Sequence, residues 1–112
     1  ALGGSASALA VHRFPDGESL VQFDVPLKDR RVVLAASLNQ PDTATLPVLF
    51  AADAARELGA RQVGLAAPYL PYMRQDKRFA PGEAVTSRSY ARLLSGAFDF
   101  LVTVDPHLHR WR

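Results

Sequence analysis

The 112-residue chain contains no cysteine. That absence excludes disulfides, thiolate catalysis and Cys-ligated zinc, and it agrees with a chain that is not held together by covalent staples. Long apolar runs are also missing. None approaches the roughly 20 residues a membrane-spanning helix requires, and Ala1-Leu2-Gly3-Gly4 is not the basic start of a secretory signal. Charge of one sign is scarce as well: thirteen Lys/Arg face eleven Asp/Glu, a net of +2 with no long block of either. So mild an excess gives no argument for nucleic acid. Nearly half of the chain, 48%, is apolar, enough for a core, and the expectation is one domain over 1–112, soluble and cytoplasmic.

What is present is a sequence of short apolar stretches separated by turn signals. Leu9 to Phe14 and Leu20 to Val25 flank Pro15-Asp16-Gly17. In that tripeptide Pro presets φ, Asp can bond its own backbone, and Gly accepts positive φ. Val21, Phe23 and Val25 alternate with Gln22 and Asp24, which predicts a β-hairpin whose second strand ends at Pro26. Arg31–Ser37, Gln62–Ala67 and Asp99–Val104 read as three strands buried on both faces. Between them, one helix is expected from the Thr43–Thr45 region to Leu58, with Pro47 in its first turn and Gly59 as the residue after its C-cap. Leu46, Leu49, Phe50, Ala54 and Leu58 would share its apolar face. A second helix, capped by Thr86 and running through Ala97, would bury Tyr90, Leu93, Leu94 and Ala97. Strand-helix-strand-helix-strand implies right-handed crossovers and a parallel sheet, so the fold class is α/β.

In an open parallel sheet, ligands bind beyond the carboxyl ends of the strands. Three segments leave those ends, Leu38–Asp42, Pro68–Glu83 and Asp105–His109, and their polar groups are expected to converge. The second contains Arg74-Gln75-Asp76-Lys77-Arg78, stiffened by Pro68, Pro71 and Pro81. A solvated charged loop is one reading of that run. A polyphosphate grip is the other, since Arg offers a planar fork of donors and Lys a mobile point charge. His107 and His109 place both rings on one side of an extended segment, either as surface histidines or, with Asp105, as a site for magnesium rather than zinc. The tip Phe14-Pro15-Asp16-Gly17-Glu18 is a turn, or a stacking ring with two carboxylates able to accept from an amino group such as that of adenine. No P-loop ending and no nucleophile elbow occurs.

Four segments in order, RFPDGES (13–19), SLNQPD (37–42), PYLPYMRQDKRFAPGEAVTSR (68–88) and VTVDPHLHR (102–110), resemble the N-terminal half of the ribose-phosphate pyrophosphokinase, or phosphoribosyl pyrophosphate synthetase, family. The resemblance implies a type I phosphoribosyltransferase-like fold and transfer of diphosphate from MgATP to the C1 hydroxyl of ribose 5-phosphate, giving phosphoribosyl pyrophosphate and AMP. It implies that Phe14, Asp16 and Glu18 hold adenine, with Gly17 in the same ATP-binding turn, in a hairpin that in this family reaches a neighbouring subunit's site. Arg74 and Gln75 would contact ATP, Asp76 and Lys77 would shape the loop around the phosphates, and His107 supported by Asp105 would hold Mg²⁺. A homo-oligomer with shared sites follows from the same resemblance. The family's ribose-phosphate loop and mobile catalytic loop have no counterpart before Arg112, so the expectation is an ATP-binding fragment, inactive alone. A non-catalytic associated homologue, and a phosphoribosyltransferase-like salvage protein, are the alternatives.

Overall fold

The computed structural model describes residues 9–72, 77–78 and 80–103. Chain order is β1 (Ala10–Arg13), β2 (Ser19–Gln22), β3 (Arg31–Ala35), α1 (Pro41–Glu57), β4 (Gln62–Ala66), α2 (Thr86–Ala97) and β5 (Phe100–Val102). β1 and β2 form an antiparallel hairpin, and β3-β4-β5 a parallel sheet in sequential order. The expected α/β class with an N-terminal hairpin is what the chain adopts.

The hairpin turn follows its sequence closely. Gly17 N–H donates to the Phe14 carbonyl at 2.9 Å and Phe14 N–H to the Glu18 carbonyl at 2.8 Å, while the Asp16 carboxylate accepts from Glu18 N–H at 3.0 Å. Pro15 sits where a fixed φ is useful, and Gly17 has φ +94°, the left-handed position of a type I turn with a bulge. The second strand ends at Gln22, short of Pro26, because only Ala10 to Arg13 supply partners for it.

α1 starts earlier than the sequence suggests. Pro41 takes its first position, where a missing N–H costs nothing, and Pro47 consequently lies inside the helix. A proline there leaves the carbonyl four residues back without a helical donor. That carbonyl belongs to Thr43, and the Arg13 guanidinium donates to it at 3.4 Å while also donating to the Gly17 carbonyl at 3.1 Å. The interior proline thus leaves an acceptor that the hairpin reaches. At the other end, Gly59 (φ +94°) closes a Schellman motif, with Ala60 N–H donating to the Ala55 carbonyl at 2.9 Å and Gly59 N–H to the Arg56 carbonyl at 3.0 Å.

The buried face of α1 is not the leucine-rich one. Ala51, Ala52 and Ala55 are fully buried, whereas Leu46, Phe50 and Leu58 are exposed. Small side chains let the helix approach the sheet closely, where Val63 and Leu65 of β4 are likewise fully buried. Removing each of these two from water contributes about 1.5–3 kcal/mol. In α2, Tyr90 and Leu94 are buried but Leu93 is exposed, and the N-cap position falls on Val85 rather than Thr86.

Among the described strands, only β4 is covered on both faces. β3 and β5 are its flanks, and Val33 and Val102 are exposed. On this open side the Phe100 ring lies directly over Gly64, its register partner, and the Arg31 guanidinium sits 4.5 Å from that ring's centre. Among the described residues no second layer covers this side, which is why the expectation of burial on both faces fails for β3; in β5 the other face is open too, since Leu101, the partner of Leu65, is exposed.

Candidate functional site

Parallel strands deliver their loops to one edge, and two of the three expected loops meet there. Ser37–Pro41, leaving β3, and Pro68–Pro71, leaving β4, wall a cavity of about 270 Å³. Asn39 and Gln40 contribute polar groups, and Pro68, Leu70 and Pro71 apolar ones. The end of β5 adjoins them: Ala67 N–H donates to the Val102 carbonyl at 3.0 Å and the Thr103 hydroxyl to the Pro68 carbonyl at 3.2 Å, while the third segment, Asp105–His109, lies outside the described residues. The hairpin turn is held at the same end of the domain, because Arg13 bonds Thr43 in the first turn of α1.

Behind the cavity runs a chain of hydroxyls that the sequence did not disclose. Tyr72 donates its hydroxyl to the Asp42 carboxylate, and its ring centre lies 5.3 Å from that of Tyr90. The Tyr90 hydroxyl is 2.8 Å from the Thr45 hydroxyl, which in turn donates to the Pro41 carbonyl at 2.5 Å. The bond to Asp42 raises the Tyr72 phenol above its ordinary pKa, because a phenolate beside that carboxylate would lose the bond and meet like charge. Tyr90 is raised chiefly by burial, which disfavours its anion.

Backbone strain concentrates here. The described non-glycine residues at positive φ are Asp29, Gln40 and Tyr72; Gln40 lines one wall of this cavity, and Tyr72 directly follows the Pro68–Pro71 wall opposite. Asp tolerates that region through local hydrogen bonding; a Tyr there costs on the order of 1–3 kcal/mol and persists only where its surroundings hold it. A signal for Asp42 was available as an acidic residue in the first helical turn, but nothing in the sequence pairs it with a tyrosine thirty residues on.

Of the anticipated site residues, Phe14, Asp16, Gly17 and Glu18 are all exposed on the hairpin turn, with the His12 ring edge-on to Phe14 at 4.7 Å. Lys77 is exposed. Arg74, Gln75, Asp76, Asp105 and His107 lie outside the described residues, as does His109. Beyond the turn, Arg78 donates to the Glu83 carbonyl at 2.8 Å and the Glu83 carboxylate accepts from Ala80 N–H at 2.8 Å, folding the Pro-Gly-Glu stretch back on itself.

Described residues do not by themselves make a magnesium site. No group of three or more His, Asp or Glu stands together among them. Of the carboxylates on these segments, Asp42 accepts from the Tyr72 hydroxyl and Asp16 from the Glu18 amide. No helix among them is long and apolar enough to cross a membrane.

A parallel sheet with its loops gathered at one edge and an N-terminal hairpin fixed beside them defines an α/β domain of phosphoribosyltransferase-like type. Comparison with known proteins agrees. The family described as the N-terminal domain of ribose phosphate pyrophosphokinase matches residues 1–97, and the chain belongs to that family. It is 46% identical over 96 residues to the ribose-phosphate pyrophosphokinase of Methanopyrus kandleri, covering 85% of this chain and 33% of that protein. Over 94 residues it is 43% identical to the Halobacterium salinarum enzyme of the same name, covering 84% and 33%. The crystal structure of phosphoribosylpyrophosphate synthetase from Mycobacterium smegmatis superposes with a TM-score of 0.82 at 29% identity, over 90% of this chain and 35% of that one. The chain thus spans about a third of the length of the curated relatives it matches.

Proposed function

We propose that this chain is the ATP-binding part of an enzyme that transfers diphosphate from MgATP to ribose 5-phosphate, giving phosphoribosyl pyrophosphate and AMP. The observation that supports it best is spatial: within a chain of this family, two sheet-edge loops wall one cavity and the hairpin turn is tied down at the same end. In this reading Phe14 supplies a ring for adenine, and Asp16, Gly17 and Glu18 the polar surround. Arg74 and Gln75 contact the ATP, with Asp76 and Lys77 shaping the loop around its phosphates. The metal arrives with its nucleotide as substrate, and Asp105 and His107 are the residues assigned to it. The chemistry is positioning plus neutralisation of charge during in-line transfer, with no covalent enzyme intermediate. Acceptor groups for the ribose phosphate would come from polypeptide other than these 112 residues. The setting proposed is cytoplasmic, in a homo-oligomer whose sites are shared.

The test is MgATP binding and AMP formation with ribose 5-phosphate, measured on the full polypeptide that carries this sequence. Arg74→Ala removes a charge-assisted contact worth about 1.5–3 kcal/mol, so affinity should fall roughly 10- to 100-fold with the fold intact. Unchanged affinity in that variant would defeat the assignment. Binding without AMP formation would instead identify a non-catalytic homologue.

A further inference from the structure

We infer that Tyr72 is a positioning residue: its hydroxyl bond to Asp42 latches the loop after β4 onto the first turn of α1 and so fixes the separation of the two loops that wall the cavity. The latch rests on described residues, but its consequence for nucleotide affinity rests on the reading given under Proposed function.

Three observations carry it. First, the bond crosses the cavity's two walls, since Asp42 follows the Ser37–Pro41 wall and Tyr72 follows the Pro68–Pro71 wall. Second, a non-glycine residue at positive φ stands in one wall, Gln40 at 54°, and another immediately after the other wall, Tyr72 at 67°. A bulky residue keeps such a conformation only when its side chain is held, and the inference runs from this outlier to function. Third, the anchor is itself rigid. Tyr72 packs on Tyr90, whose buried hydroxyl meets buried Thr45, and Thr45 bonds back to Pro41 at the same helix start. The loop after β4, the start of α1 and the middle of α2 are therefore joined through four side chains. A tyrosine needed only for packing would use its ring on Tyr90 and leave the hydroxyl to water.

The experiment uses the full polypeptide and reads two quantities. Tyr72→Phe keeps the ring and deletes the hydroxyl. Without nucleotide, amide exchange in peptides spanning 37–42 and 68–72 should accelerate about 5- to 10-fold, while exchange in β4 stays at the parent rate. MgATP affinity should weaken about 5- to 10-fold. Asp42→Ala should reproduce both effects, the double variant should be no worse than either single one, and Asp42→Asn, which keeps an acceptor oxygen, should restore affinity to within about 2-fold. Parent-like exchange in Tyr72→Phe would overturn the latch. Faster exchange with unchanged affinity would overturn its part in binding. Failure of the parent protein to bind MgATP would overturn the nucleotide reading itself, a result distinguishable because the exchange measurement needs no ligand.

Discussion

Adding a single methyl group at Gly64 tests how the open side of the sheet is built. An ideal Cβ at this position would stand 2.1 Å from Phe100 Cζ, 2.2 Å from Cε2 and 2.5 Å from Cε1. No contact that short survives, so either the ring leaves or the strands move apart. If the ring leaves, it forfeits most of the value of burying a phenylalanine, on the order of 1–2 kcal/mol, because the greater part of it is covered. It also loses its contact with Arg31, about 0.5–1 kcal/mol. Against this, alanine restrains the unfolded chain more than glycine does and returns about 0.5–1 kcal/mol. The net destabilisation of Gly64→Ala is therefore about 1–2 kcal/mol, rising toward 3 kcal/mol if the ring stays and the backbone gives way. Urea unfolding of the parent and variant measures it. In a Phe100→Ala background the same change meets no ring, and there Gly64→Ala should be neutral or stabilising. An equal cost in both backgrounds, or no cost in either, would refute the stacking argument.

Two further expectations concern single interactions. Arg13→Met should cost at most about 0.5–1 kcal/mol by removing a bond to the solvent-exposed Thr43 carbonyl, and almost nothing in a Pro47→Ala background, where the helix regains its own donor; a urea-melt double-mutant cycle measures the difference, and equal costs would contradict it. The Asp99 carboxylate is held below its ordinary range, first by the Val63 N–H it accepts at 2.8 Å and then by Arg56, so its contribution is present above about pH 4 and fades as pH falls through the depressed folded value. Melting midpoints of Asp99→Asn followed downward from pH 6 should accordingly lose less with acid than those of the parent. A parallel decline in both proteins would count against the assignment.

Local chemistry made much of this fold legible, and non-local geometry hid the rest. Pro15-Asp16-Gly17 specifies its turn unaided, and Gly59 marks a helix end because its φ suits few other residues. Strand-helix alternation likewise forces a parallel sheet. Errors arose where neighbours distant in sequence decide. Pro47 read as a first-turn proline, but Pro41 holds that place and Arg13, more than thirty residues upstream, satisfies the orphaned acceptor. Leu46, Phe50 and Leu58 read as a core face by hydrophobicity alone, whereas close packing selected alanines. The candidate site divides in the same way: its loops were foreseeable from strand polarity, while Tyr72, Asp42, Thr45 and Tyr90 carry no shared motif and meet only in three dimensions.

The seam between α1 and the sheet bears on how this domain can move. Ala51, Ala52 and Ala55 end in a methyl group with no rotamer to exchange, and they face side chains that are fully enclosed. A joint of that kind has no play: sliding the helix by a fraction of a turn would open voids that nothing can swing in to fill. Adjustment to any incoming molecule is thereby confined to the strand ends, which behave as fingers on a palm that does not flex.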